Sequence, residues 1–408
     1  MDPKVAMILG CSMVIVFHLV DLVAHRFRIP SVLVLMGAGG ATAAICKWNA
    51  VSFLIPPEVL GGLGMVGLAL IVLEGAMGLT WRVGSEGNVI RASLGAILGI
   101  ALFVVPSTIA FHLIWSRPWR LALLNTVPLS VISSAIAIPS TSRLQQRFRE
   151  FVSVESSLSD IVGVLLFNAL VVPGTLGIAI LLRLGWNAGL VLLLSVVIVG
   201  TTLKIMRHSV QGVRFIPLLA SLILFFAVGE QLHMPSLLLV FLFGIAVTNL
   251  PKVRIPFVRK WLLHEGYSQD VQLLESMVKE LAFLARTFFF FLFGFSIDRA
   301  SLVAWTPWIL GGGLLVLVYL CRFLVLRSLV GPDIRQILFI APRGLITILL
   351  FATIPTADRI GEIASGTVLV LVLGTTLAQM LAGKDVSEAA GVAAIEEILP
   401  IGPLWNRK

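Results

Sequence analysis

The sequence predicts an all-α polytopic membrane protein, about 13 transmembrane helices arranged as an inverted-topology repeat with two broken crossing helices. Three observations carry the prediction: an apolar composition, a one-sided distribution of Lys and Arg, and short motifs that recur in order in the two halves. Of 408 residues, 58% are hydrophobic and only 12% charged, with a mean hydropathy of +1.03. Soluble globular chains do not have such a balance. Apolar runs of bilayer-crossing length begin near Val5, Ser31, Val59, Ile90, Trp119, Val152, Trp186, Arg214, Pro235, Leu281, Leu302, Ile334 and Ile363, and are numbered spans 1 to 13.

The net charge of +9 suggests nucleic acid in a soluble chain, but here the basic residues flank spans, as they do on the cytoplasmic side of membrane proteins. No nucleic-acid partner is expected. When loops alternate between sides, twenty-one of the thirty Lys and Arg residues fall on one side and seven on the other, with Arg286 and Arg343 inside spans. That bias places the N-terminus outside and the C-terminus in the cytoplasm of what reads as a prokaryotic inner-membrane protein. Cys11, Cys46 and Cys321 are isolated in apolar sequence, so they read as packing residues with neither disulfide nor metal spacing. The N-terminal segment lacks a cleavage site and is expected to stay as the first helix.

Residues 1–384 read as the transmembrane unit, with spans 1–6 and 8–13 as the repeats and span 7 as linker. Pro251 to Glu280 mixes charge with Trp261, Leu262, Leu263, Leu273 and Leu274, and reads as a cytoplasmic amphipathic loop lying at the interface. Residues 385–408 form a short cytoplasmic tail, too small for a nucleotide-binding domain.

The repeat is legible in two pairs of motifs. Span 2 opens IPSVLVLMG from Ile29 and span 9 opens MPSLLLVFLFG from Met234; span 3 ends LEGAMGLTWR from Leu73 and span 10 ends LFGFSIDRA from Leu292. Seven spans separate each pair, an odd number, so matching segments cross in opposite directions. Inverted repeats of this kind build secondary transporters whose site lies between broken helices. Span 5 carries Pro128 and Pro139 around Ser130, Ser133 and Ser134, and its partner, span 12, has Pro342, Arg343 and Gly344 in mid-span. Each proline removes a donor, and the carbonyls so released can ligate a cation where they line a cavity.

Span 6 reads FVSVESSLSDIVGVLL from Phe151 and places Glu155 and Asp160 in otherwise lipid-soluble sequence. An intramembrane carboxylate costs roughly 2.5 kcal/mol or more to insert, so each needs a reason. On a helix turning 100° per residue, Ser156 lies about 40° from Asp160 and Ser157 about 60° to the other side, while Glu155 is about 140° round. Asp160 therefore has a hydroxyl-lined face suited to a small cation or a proton, and Glu155 faces a different neighbour. Glu74, late in span 3, is a possible cytoplasmic gate or an interfacial acid. Arg286 in FLARTFF reads as capping an internal polar contact, without a transport role.

On these residues the chain resembles the monovalent cation/proton antiporter superfamily, nearest its sodium/proton exchanger branches, over essentially all thirteen spans. The most specific likeness is ESSLSD, similar to a motif in which an acid and a serine lead into an Asn-Asp pair. EGAMGL at Glu74, FFFFLFGFSID, the serine-rich span 5 and PRGL at Arg343 are similar too. The resemblance implies that Asp160 binds the ion and the proton, with Ser156 as a side-chain ligand to the monovalent cation. Ser159 stands where the family has asparagine, or a second aspartate in electrogenic relatives, so one-for-one electroneutral exchange is implied. Ala-Ile-Ala-Ile-Pro replaces the family's Thr-Asp-Pro stretch, leaving backbone or hydroxyl oxygens near Ser130, Ser133 and Ser134 to serve. Family members pair the span 6 glutamate with an arginine on helix 11, which implies a structural ion pair of Glu155 with Arg322, Arg343 being the runner-up. A homodimer through the non-moving helices is implied by the resemblance alone.

The expected function is exchange of sodium or lithium for protons by alternating access at a midplane carboxylate, the core of spans 4–6 and 11–13 moving against spans 1–3 and 8–10. Potassium/proton exchange is the nearest alternative; a cation channel or an organic-anion symporter of related fold are more distant ones. No cofactor and no enzymatic activity are expected, since no nucleophile-base pair, His-metal cluster or phosphate loop is evident.

Overall fold

In a computed structural model of the chain, the residues described are 3–27, 30–48, 57–78, 86–141, 144–171, 215–231, 236–252, 266–296, 304–332, 334–361, 363 and 365–398, with scattered positions between 182 and 204. All regular structure among them is helical: α1 (Pro3–Phe27), α2 (Ser31–Trp48), α3 (Pro57–Met77), α4 (Glu86–Trp115), α5 (Trp119–Ser130), α6 (Ser134–Ser140), α7 (Gln146–Val171), α8 (Phe215–Gln231), α9 (Ser236–Asn249), α10 (Tyr267–Ser296), α11 (Trp305–Leu329), α12 (Leu345–Thr353) and α13 (Ser365–Ile398). Span 5 is α5 and α6 with a gap between them, and span 6 is α7. Span 12 is helical only in its second half, α12. Span 7 is described in part, through the apolar helical stretch Gly189–Thr201.

Two departures from the sequence reading have local causes. Trp261, Leu262 and Leu263 of the supposed amphipathic loop lie outside the described residues, but from Tyr267 the chain is already α10 and runs unbroken into span 10. No proline or glycine interrupts it before Gly294, and its apolar stripe of Tyr267, Leu274 and Val278 is buried against protein. Tyr267 Oη also donates to the Val247 carbonyl at 2.8 Å, tying the start of α10 to α9. At the other end of the chain, the α13 backbone continues helically to Ile398, into the segment read as a tail.

The helices form two layers. In one, α10 packs along α2 and α3, α9 along α3, α1 against α2, and α8 against α9. In the other, α7 packs on α4, α5 and α6, and α13 on α11, which in turn meets α4. Side chains such as Ile90, Ile97, Val105 and Ile109 of α4 and Ile309, Val316 and Leu320 of α11 remain exposed, the apolar outer face that a lipid-embedded bundle requires.

The motif repeat has a physical counterpart in the first layer. Gly39 and Gly244 stand at equal distances after Pro30 and Pro235. A Cβ on Gly39 would meet the Phe295 backbone nitrogen at 2.8 Å, and one on Gly244 would meet the Ala76 Cβ at 2.6 Å. Both glycines thus let helices of opposite halves approach closely, Gly39 against the α10 backbone and Gly244 against a side-chain methyl of α3, the small-residue packing that membranes favour.

Prolines leave holes in the helical ladder that other spans fill. Pro106 deprives the Leu102 carbonyl of its donor, and Cys321 Sγ of α11 lies 3.2 Å from that oxygen. Pro139 does the same to the Ala135 carbonyl, which receives Arg286 Nη1 of α10 at 2.9 Å.

Candidate functional site

Between α5 and α6 the chain leaves helical geometry, Val131 and Ser133 having ψ of 127° and 115°. Three successive amides are thereby released from the helix ladder and must bond elsewhere. Ile132 N–H donates to Ser159 Oγ at 3.0 Å, Ser133 N–H to the Pro342 carbonyl at 2.9 Å, and Ser134 N–H to Asp160 Oδ2 at 3.1 Å. The break is thus docked on α7 by two bonds and on the second break by one. That second break, around Pro342 to Gly344, is docked on α13 through Arg343 N–H to Thr375 Oγ1 at 3.0 Å. Gly344 is required by space, since a Cβ there would meet Ser133 Oγ at 2.7 Å.

Asp160 is 1% exposed. One of its oxygens is held by Ser134 N–H, and the other, Oδ1, has no hydrogen-bond partner. A buried carboxylate with one oxygen unanswered is a receptor for a proton or a small hard cation. Ser133, Ser157 and Thr347 are also buried with unpartnered hydroxyls. Among the hydroxyls singled out from sequence, the structure leaves Ser133 Oγ available and uses Ser134 through its backbone. It turns Ser130 Oγ onto its own Val127 carbonyl at 2.7 Å and Ser156 Oγ onto Ser153 at 3.4 Å. Spacing places Ser157 on the hydroxyl-lined face of Asp160, though the resemblance implies Ser156 as the ligand, whereas nothing in the sequence distinguishes Thr347.

Glu155 is 1% exposed, and Arg322 meets it with both ends of its fork, Nη1 to Oε1 at 3.0 Å and Nη2 to Oε2 at 3.1 Å. Arg322 Nε and Nη2 also donate to the Ile337 carbonyl at 3.2 and 3.1 Å. A bidentate pair whose arginine places two further donors on a backbone carbonyl is an arrangement that tolerates burial. It joins α7, α11 and the non-helical half of span 12. Arg343 is placed apart: it is 4% exposed, 5.7 Å over the Phe103 ring, with Nε and Nη1 unpartnered. A cavity lies between these groups, lined by Ser130, Glu155, Ser159, Arg322 and Arg343.

Two polar clusters flank the crossing. On one side Glu74 Oε2 of α3 lies 3.8 Å from Arg286 Nη2 of α10, the residue that also serves Ala135. On the other side Arg120 binds Asp358 Oδ2 at 3.2 Å and the Leu170 and Val171 carbonyls at 3.1 and 2.8 Å, closing the C-terminus of α7. Beside it Asn125 donates to the Asp358 carbonyl at 2.9 Å and accepts from Ile360 N–H at 3.1 Å.

A buried carboxylate without an ion-pair partner, docked on an interrupted helix that is itself bonded to a second interrupted one, is transporter architecture. A family model described as sodium/hydrogen exchanger, transmembrane, matches residues 12–384. The chain belongs to this exchanger family. No curated protein sequence matches it. Among solved structures, the sodium proton antiporter MjNhaP1 from Methanocaldococcus jannaschii at pH 8 is similar to this exchanger with a TM-score of 0.70 and 19% identity, covering 94% of this chain and 100% of that one. An electron-microscopy structure of MjNhaP1 is similar with a TM-score of 0.68 and 18% identity over 100% of each chain. At such identity the likeness shows that the exchanger shares the fold, and the fold expected from the sequence stands. Among the described residues no three His, Cys, Asp or Glu side chains cluster.

Proposed function

We propose that the protein exchanges a monovalent cation, sodium or lithium in preference, for protons, one for one, with Asp160 as the shared site. The observation that carries this is the lone carboxylate at the break, its Oδ2 anchored by Ser134 N–H and its Oδ1 unpartnered. Proton and cation compete for one oxygen, and competition couples their movements without other machinery. Ser133, Ser157 and Thr347 supply the hydroxyl oxygens for the cation, with Ser130 and Ser156 entering by rotation away from their helix carbonyls. Ser159 stands beside Asp160 where a second acid would stand and serves to hold the break, so the site has one carboxylate for one proton or one cation, which favours electroneutral exchange. The Glu155–Arg322 pair fixes the geometry of α7 against span 12.

The layer containing α4–α7 and α11–α13 then moves against α1–α3 and α8–α10 when the carboxylate is loaded with either ion. The charge bias places the N-terminus outside and the Glu74 end of the pathway in the cytoplasm of an inner membrane, and the protein works as a homodimer. Potassium in place of sodium is the second reading; it keeps the same site and differs only in cavity size.

The test is dye-reported proton movement in proteoliposomes, adding sodium, lithium, potassium and rubidium in turn to wild type and Asp160→Asn. Collapse of the pH gradient by sodium or lithium, with a silent mutant, is expected. A response to potassium alone changes the ion, and a mutant equal to wild type overturns the assignment. Because protons compete, the apparent KM for the cation falls as pH rises, by up to about tenfold per pH unit where Asp160 is mostly protonated. A pH-independent KM contradicts a shared site.

A further inference from the structure

Arg286, read from the sequence as capping an internal polar contact, is a partly buried cation that the exchange mechanism does not use. It belongs to α10, in the layer opposite Asp160, yet its Nη1 donates 2.9 Å to the Ala135 carbonyl of α6. That carbonyl lacks a helical donor because Pro139 occupies the fourth position after it. Ala135 directly follows Ser134, whose N–H holds Asp160. The other end of the guanidinium, Nη2, is 3.8 Å from Glu74 Oε2, a separation at which a charge pair attracts without a formed hydrogen bond. Gly75, next to Glu74, brings α3 against the site: a Cβ there would be 3.6 Å from Ser157 Oγ. A carboxylate and a proline-released carbonyl thus flank a cation that the protein supplies itself, with the unpartnered Ser157 hydroxyl beside Gly75 of the same helix as Glu74.

We propose that Arg286 is a tethered competitor of the transported cation, a latch that occupies the Ala135 carbonyl from the opposite layer and withdraws to Glu74 when a cation enters. The proposal rests on the exchange reading above. The guanidinium satisfies Ala135 while the site is empty, and its charge opposes a second cation beside Glu74. For the two layers to slide past each other, the Arg286 to Ala135 bond must break. Glu74, on the same layer as Arg286, travels with it and receives the released charge. The latch therefore sets cation affinity on the Glu74 side only, and its positioning role is separable from the ion binding performed by Asp160.

The experiment measures the cation KM from each face separately, in oriented proteoliposomes, for wild type, Arg286→Gln, Arg286→Lys and Pro139→Ala. Arg286→Gln is expected to lower KM on the Glu74 face by about tenfold, the factor that one charge-assisted hydrogen bond carries, with KM on the far face unchanged. Arg286→Lys, which retains the charge, is expected to stay near wild type. Pro139→Ala, which returns a helical donor to Ala135, lowers the same KM in part. Combined with Arg286→Gln it adds little, since both act on one bond. Unchanged KM on both faces, or equal changes on both, overturns the latch. When wild type exchanges and Asp160→Asn is silent, an unchanged or equally changed KM removes the latch alone and leaves exchange intact. If wild type moves no protons with any cation, exchange fails and the latch falls with it.

Discussion

The two broken helices are built alike and equipped differently. In the first, Ile132 N–H docks on Ser159 Oγ and Ser134 N–H on Asp160; in the second, Arg343 N–H docks on Thr375 Oγ1. Aligning the helix starts at Ser134 and Leu345 sets Ile132 against Arg343 and hence Ser159 against Thr375. The partner of Asp160 is then Thr376, whose hydroxyl turns back to the Val372 carbonyl at 2.7 Å. The second half therefore repeats the docking bond and omits the carboxylate, while putting a buried guanidinium where the first half has isoleucine. Docking a break is a backbone requirement that any hydroxyl meets, so it survives in both halves. A carboxylate is costly to bury, so it is kept only where it has work.

Changes in the two halves should therefore differ in kind. The largest effect is expected from Asp160→Asn, which keeps an acceptor for Ser134 N–H and removes the charge: exchange drops to background while the melting temperature of the purified protein stays within a few degrees. Thr376→Val, its counterpart, should leave exchange measurable, and a silent Thr376→Val would break the asymmetry. Next comes Arg322→Ala, which strands a buried Glu155 at a cost of about 3–5 kcal/mol. A marked fall in melting temperature is expected, with much of it restored in the double variant Glu155→Leu/Arg322→Leu; no restoration would mean that the pair serves more than stability.

Smaller and more discriminating is the docking pair. Ser159→Ala and Thr375→Val each remove one acceptor, about 1 kcal/mol of stability, but only Ser159→Ala should also shift the cation KM, because it loosens the break that anchors Asp160. Equal KM shifts in both would make the halves functionally equivalent. The finest comparison lies in the other layer. Gly39→Ala pushes a methyl into the rigid backbone of α10, whereas Gly244→Ala meets a side-chain methyl. Both lower the melting temperature, Gly39→Ala by more, and thermal unfolding in one detergent ranks them.

Much of this was legible in the sequence because the membrane makes charge conspicuous. Glu155 and Asp160 stand out in an apolar run, and the two PS motifs with their following glycines betray the repeat. The rest was hidden where distance outranks spacing. Arg322 counts with the residues outside the spans and is named as the partner of Glu155 by resemblance alone, with Arg343 as runner-up; its burial in α11 and its bonds to the Ile337 carbonyl of span 12 are what the sequence does not display. Ser156 and Ser157 flank Asp160 almost equally on a helical wheel, and the difference between them lies in which hydroxyl its own helix absorbs. The continuity of α10 from Tyr267 into span 10 was not legible because an amphipathic stretch reads the same whether its apolar stripe meets lipid or a neighbouring helix. Arg286 was read as an internal cap, and its partner across the layers followed from a proline 147 positions earlier in the chain.

The Glu155–Arg322 pair has an electrical consequence. A single charge carried through the field of an energised membrane exchanges about 2.3 kcal/mol with every 100 mV, so an isolated buried ion would make its surroundings a voltage sensor. Here the opposite charges are 3.0 Å apart on the same rigid unit and couple to the field only as a short dipole. The transmembrane potential therefore passes over this pair without exerting a net pull on the unit that carries it.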